Sequence, residues 1–163
     1  MKQPSEPEML HRAAAYCSAA ERCIQDVEKK IKAAGLTQEA SDRIIARLLE
    51  ERFIDEERFA RYFTNDKLRF NKWGRIKIGY ELQKKGIPAE IRSDALAGID
   101  KKEYRDLLLS LLKSKKKTVR GKDEREVYVK LLRFASGHGF EGKEITECLK
   151  QLFNGNGYED DFE

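Results

Sequence analysis

The side chains equipped for chemistry are few: two histidines, His11 and His138, three cysteines, Cys17, Cys23 and Cys148, and a large stock of lysine and arginine. The cysteines are odd in number, and their spacing matches neither a zinc ligand set nor a redox pair. Cys148 falls on the apolar stripe of Ile145, Cys148, Leu149, Leu152 and Phe153, so it reads as a small core residue. His138 stands between Gly137 and Gly139 in a turn and His11 on a first helix, with no nucleophile beside either in a recognisable motif. The 11 glycines form neither G-x-x-x-x-G-K nor G-x-G-x-x-G, so there is no phosphate-cradling loop. No catalytic residue, metal ligand or cofactor is expected. The chain reads as a binding protein and not as an enzyme.

What remains is charge. Thirty-three basic residues stand against 29 acidic ones, a net +4. Residues 158–163 contain four acids, Glu159, Asp160, Asp161 and Glu163, so the rest of the chain carries +8. Lys67 to Lys85 holds seven bases against Glu81 alone, and Lys101 to Lys122 holds nine against Glu103 and Asp106. Two such blocks suit a polyanion or an acidic groove. The candidate binding residues are Lys67, Arg69, Lys72, Arg75 and Lys77 as a central strip, with Lys113, Lys115, Lys116 and Lys117 as a second.

Plainer readings stand beside this one. Lys115 to Lys117 suit a solvated helix end, where cations favour the C-terminal dipole. Phe59, Tyr62, Phe63 and Phe70 have rings that stack on bases, but spacings of three, four and seven residues favour the core. Trp73 beside a helix break reads as packing between helices, and Gly74 as a tight helix start. The acidic stretch after Asn154-Gly155-Asn156-Gly157 reads as an unstructured end, with shielding of the basic face as the alternative.

The elements that must carry these residues repeat. Aligned on Gly35, Gly86 and Gly139, spaced 51 and 53 residues apart, the chain shows apolar side chains at matching offsets. Val27, Ile78 and Leu131 stand eight before the glycine, and Ile31, Leu82 and Ala135 four before. Leu36, Ile87 and Phe140 follow it directly, then Ile45, Leu96 and Leu149 at ten and Leu48, Ile99 and Leu152 at thirteen. Steps of three and four mark one helix face. Glycine followed by an apolar residue fits a helix C-terminus. Each unit is therefore expected to be a leading helix, then helix, glycine turn and helix, stacked because one unit cannot bury its apolar face alone.

Start signals agree. Ser5 with Glu8, Asp100 with Glu103 and Asp123 with Glu126 have capping-box spacing; Asp55 precedes two acids, and Pro88 suits a helix's first turn. One segment, Ile76 to Gln83, alternates as a strand would, yet its equivalents Ile24 to Ala34 and Val127 to Ala135 are helical in period. The expectation is an all-α chain of about nine helices, with units at 1–53, 54–99 and 100–153 and an acidic tail at 154–163. No apolar run approaches the ~20 residues that span a bilayer, and Met1 to Ser5 shows no apolar signal core. The expected compartment is the cytoplasm.

Phe53-Ile54-Asp55-Glu56-Glu57-Arg58-Phe59-Ala60, then Lys67 through Gly74-Arg75, then Glu81-Leu82 and Lys85-Gly86-Ile87, resembles the signature of the RecX family, regulators of the RecA recombinase. The specific part covers residues 53–87, with weaker agreement from about 9 to 153. The first unit departs from the pattern, with Cys23-Ile24-Gln25-Asp26 where the second has Gly74-Arg75-Ile76-Lys77, and the third has a longer basic insertion at Ser114 to Lys122. The resemblance implies an elongated, curved array of three three-helix repeats without catalysis. Its implied partner is the RecA filament on single-stranded DNA, whose growth, ATP turnover, strand exchange and co-protease activity it would restrain in DNA repair, recombination and the SOS response. No membrane and a monomeric state go with that reading, while contact of the basic strips with DNA, with recombinase carboxylates or with both is left open by the sequence. The alternatives are an autonomous, sequence-independent single-stranded nucleic-acid binder and a helical scaffold for a peptide or protein. Phe59, Phe63, Tyr80 and Leu82 are expected to hold the fold.

Overall fold

The computed structural model describes residues 2–153, and in them the chain is all helix. The order is α1 (Glu6–Ala19), α2 (Ile24–Ala33), α3 (Gln38–Glu50), α4 (Glu56–Asp66), a π-helical turn (Lys67–Asn71), α5 (Arg75–Lys84), α6 (Ala89–Ala97), α7 (Lys101–Lys116), α8 (Glu124–Gly137) and α9 (Gly142–Leu152). No strand occurs among the described residues. The acidic stretch 158–163 lies outside them.

The glycine turns are where the repeat places them. Gly35, Gly86 and Gly139 have φ of 90°, 79° and 92°, a left-handed conformation that costs other residues roughly 1 kcal/mol or more. Each donates its N–H three residues back, to Lys32, Gln83 and Ser136, and Ile87 and Phe140 donate five residues back to Leu82 and Ala135. That pairing satisfies the last carbonyls of α5 and α8. The aligned apolar positions follow suit: Val27, Ile78, Leu131, Ile31, Leu82 and Ala135 are each 0% exposed. Ser5 closes a full capping box with Glu8, while Asp55, Asp100 and Asp123 each accept the N–H three residues on. All three cysteines are buried.

The described residues form two compact units. One comprises residues 2–63 and 81–95; its core joins Met9, Ala13 and Cys17 of α1 to Val27 and Ile31 of α2 and Ile44, Ile45 and Leu48 of α3. The other comprises residues 64–80 and 96–153, where α7, α8 and α9 pack pairwise around Tyr104, Leu108, Leu112, Leu131, Ile145 and Leu149. The chain passes from one unit to the other within α4, α5 and α6.

The alternation from Ile76 to Leu82 resolves as a helix with two apolar faces. Residues two apart on a helix differ by about 200°. Ile78 and Leu82 are buried, while Ile76 and Tyr80 are both 60% exposed. Tyr80, expected among the residues that hold the fold, is thus exposed and not part of the core. The aromatic run divides likewise: Phe59 and Phe63 are buried and stacked at 5.8 Å, but Tyr62 is 56% and Phe70 79% exposed. Helical spacing names the faces of a helix without saying which of them is covered.

Candidate functional site

All nine candidate cations fall in the unit of residues 64–80 and 96–153. Lys67 and Arg69 lie on the π-helical turn and Lys72 just after it; Arg75 and Lys77 open α5; Lys113, Lys115 and Lys116 fill the last turn of α7, with Lys117 as its C-cap.

The start of α5 is held by the turn between α8 and α9. Gly74 donates to the His138 carbonyl at 2.8 Å, Arg75 to the Tyr104 hydroxyl at 3.0 Å and Ile76 to the Gly139 carbonyl at 3.0 Å. These bonds satisfy N–H groups that a helix start leaves unpaired. Contact is backbone to backbone: a Cβ on Gly74 would stand 2.4 Å from the Gly139 oxygen, and one on Gly139 2.6 Å from the Lys77 nitrogen. Gly74 thus serves close approach between chain segments, beyond starting a helix tightly.

Arg75 is committed within this junction. Its guanidinium lies 3.9 Å from the Tyr104 ring centre and donates to Glu141 at 2.8 Å, while the Tyr104 hydroxyl also donates to Glu141. Burial works to raise the Glu141 carboxyl, but the hydrogen bonds from Tyr104 and Arg75 outweigh it and hold the group below its usual range. Burial, then the Glu141 bond, pushes the Tyr104 phenol well above its usual value.

The other unit contains a related junction of different chemistry. Glu56 accepts the Ile24 N–H at 3.1 Å, Gln25 donates to the Lys84 carbonyl at 3.1 Å and Lys85 pairs with Asp26 at 3.2 Å. Here the Gly86 turn meets the start of α2. In the register of the repeat, Asp26 and Lys85 stand where the second junction has Lys77 and His138, and Cys23 and Gly86 where it has Gly74 and Gly139.

The candidate cations divide into two classes. Lys67 lies 3.9 Å from Asp66, Arg69 pairs with Glu103 at 2.9 Å and Arg75 with Glu141. Among the described residues no carboxylate pairs with Lys72, Lys77, Lys113, Lys115, Lys116 or Lys117. Several of these rest on rings instead: Lys77 over Trp73 at 4.8 Å, Lys115 over Phe134 at 4.9 Å and Lys116 over Phe153 at 4.4 Å. An ammonium on a ring face keeps its full charge for an incoming anion.

His138, which the sequence left without a role, links the two strips. Its Nδ1 lies 2.9 Å from the Lys72 carbonyl, and because a carbonyl only accepts, Nδ1 carries the hydrogen. The same ring packs on Phe134 at 4.6 Å, the ring beneath Lys115. The bond also steadies Lys72, whose φ of 57° is left-handed. His138 was legible only as a turn residue, and Tyr104 and Glu141 gave no sign of a shared site, because their partners lie far off in the chain.

A groove of about 710 Å³ beside Lys72 is lined by Lys102, Asp100, Glu103 and Asp106 over Leu107 and Leu111. Its three acids make it a poor seat for a small anion. Burial pushes Cys23 and Cys148 up to about 11, so neither is a thiolate at neutral pH. Among the described residues no group of His, Cys, Asp or Glu is placed to hold a metal, and no helix is long and apolar enough to cross a membrane.

Comparison with known proteins places the chain. Residues 55–96 match the family model described as RecX, second three-helix domain. A regulatory protein RecX of Prosthecochloris aestuarii is 30% identical over 145 residues, 88% of this chain and 92% of that one. Regulatory protein RecX of Lactobacillus johnsonii is 29% identical over 98% of this chain, which spans 59% of that relative's length and 62% of a Clostridium tetani one's. The crystal structure of RecX from Lactobacillus salivarius shares the fold, with a TM-score of 0.80 at 21% identity over 90% of this chain and 96% of that one. Sequence along nearly the whole of a relative, and the same helical architecture, agree: the chain belongs to the RecX family of regulatory proteins.

Proposed function

We propose that this chain is a non-enzymatic regulator that binds the RecA–single-stranded-DNA filament and restrains its extension, ATP turnover, strand exchange and co-protease activity. The observation that carries the reading is the group of six lysines in one unit, Lys72, Lys77, Lys113, Lys115, Lys116 and Lys117, with no ion pair among the described residues. Neighbouring cations such as Arg69, Arg75 and Arg105 have acidic partners, which leaves these six lysines as the candidate contacts of the two strips. Lysines left unpaired on a packed unit supply attraction to phosphates or carboxylates without reading sequence.

Restraint follows from differential binding. A module that holds neighbouring protomers in one arrangement opposes the changes needed for turnover or growth, to the extent that it binds that arrangement more tightly. Arg75 acts in this scheme as a positioning residue, fixing the start of α5, and the six lysines make the contacts.

The test is assembly of the cognate recombinase on single-stranded DNA with increasing amounts of this protein. Extension should stop and ATP hydrolysis fall at substoichiometric levels. Unchanged filament length with the protein in excess contradicts the proposal.

The second reading, an autonomous single-stranded nucleic-acid binder, draws on Phe70, an aromatic ring 79% exposed between Arg69 and Lys72. Tight binding to naked oligonucleotide at ~0.15 M salt, with no effect on the recombinase, would select it.

A further inference from the structure

Three of the five large hydrophobic side chains exposed among the described residues, Phe70, Ile76 and Tyr80, fall in the stretch that also holds Lys72 and Lys77. Single exposed apolar residues are ordinary on protein surfaces. The arrangement on α5 is not of that kind. Ile76 and Tyr80 are one turn apart on the same side, opposite the buried Ile78 and Leu82, so a ten-residue helix has a second apolar face. The start of the helix, where this face begins, is tied by the Gly74, Arg75 and Ile76 bonds and by the approach of Gly74 to Gly139. A rigidly held i, i+4 pair is the form in which a helix enters a groove on another protein.

Resting on the filament reading above, we propose that the Ile76–Tyr80 stripe is the protein-contacting part of this surface, seating in an apolar recess bordered by carboxylates on a recombinase protomer. Charge complementarity defines the border: Lys77, between the two, has no acid partner among the described residues, and Lys72 lies just before the helix. The aliphatic side chain decides the class of partner. Ile76 has no π face to stack on a base, and a phosphate backbone offers no apolar recess, so nucleic acid would leave this stripe in water. An acidic protein surface with a small apolar hollow satisfies Ile76, Tyr80 and Lys77 together.

The test uses the full chain with Ile76→Ser and Tyr80→Ser together, and the conservative pair Ile76→Val and Tyr80→Phe, after circular dichroism confirms unchanged helicity. Affinity is measured for the cognate recombinase filament on single-stranded DNA and, separately, for the same oligonucleotide bare. The serine pair should lose about tenfold or more toward the filament and keep its oligonucleotide affinity, and the conservative pair should retain both. Equal filament affinity for the serine pair and the unsubstituted chain overturns the inference, as does a parallel loss toward bare oligonucleotide. Failure of the unsubstituted chain to bind filament removes the underlying reading, and is seen without any variant.

Discussion

Gly74 and Gly139, 65 residues apart in sequence, meet so closely that a Cβ on either would overlap the other segment's backbone. A Cβ on Gly74 would lie 2.5 Å from the Phe140 Cα, and Gly139 has a φ of 92°. The glycine of the repeat turn therefore has two duties, ending α8 and admitting the start of α5. The candidate cations Lys72, Arg75 and Lys77 are grouped around this contact.

Gly74→Ala should lower stability by about 1–3 kcal/mol through overpacking, since backbone and not a flexible side-chain end stands in the way. Gly137→Ala is the control, as a Cβ there meets nothing within 4 Å. Urea denaturation of both variants measures the difference; equal loss would mean that the contact is not tight.

The Arg75–Glu141–Tyr104 cluster predicts a pH dependence. The Glu141 carboxyl titrates lower folded than unfolded, so it adds stability at neutral pH that is lost as pH falls through its depressed folded value. Glu141→Gln should cost on the order of 1–2 kcal/mol at pH 7, between an exposed and a buried pair, since the side chains are 24% and 31% exposed. The gap from the unsubstituted protein should narrow below the ordinary carboxylate range. Glu56, which burial shifts upward, acts in the opposite sense but is common to both proteins and cancels in the difference. A gap that stays constant from pH 7 to pH 3 would remove the ion pair from the account.

The aromatics separate fold from surface. Phe63, 9% exposed, should cost about 3–5 kcal/mol on truncation to alanine, whereas Phe70→Ala should stay within about 0.5 kcal/mol. Thermal unfolding of the pair decides it, and similar losses would show that Phe70 is covered in solution.

Charge reversal tests the lysines. Lys72→Glu with Lys77→Glu, or Lys115→Glu with Lys116→Glu, should leave helicity intact and shift stability by roughly 0.5 kcal/mol or less per site. Either pair should abolish restraint of the filament and flatten the dependence of binding on salt. Arg75 does not belong in this set, because Arg75→Glu would set a carboxylate against Glu141 and confound contact with folding.

Much of this fold is legible along the chain because it is local. Three glycines followed by apolar residues, and stripes such as Val27–Ile31 and Ile78–Leu82, need only nearest turns to show themselves, and both hold. Tyr80 and Phe70 misled because an exposed aromatic at helical spacing looks the same as a buried one. Arg75 looked like a free cation because Glu141 is 66 residues away, and His138 looked idle because the Lys72 carbonyl it holds is equally remote. Charge counts along a chain register how many lysines there are, and only the packed structure tells which ones keep their charge unpaired.

The most direct measurement is DNA-dependent ATP hydrolysis by the cognate recombinase, titrated with the unsubstituted chain and with the Lys115→Glu, Lys116→Glu variant. The account predicts inhibition by the first at substoichiometric levels and none by the second at equal helicity. Hydrolysis unaffected by the unsubstituted chain in excess, or inhibited equally by both, would contradict it.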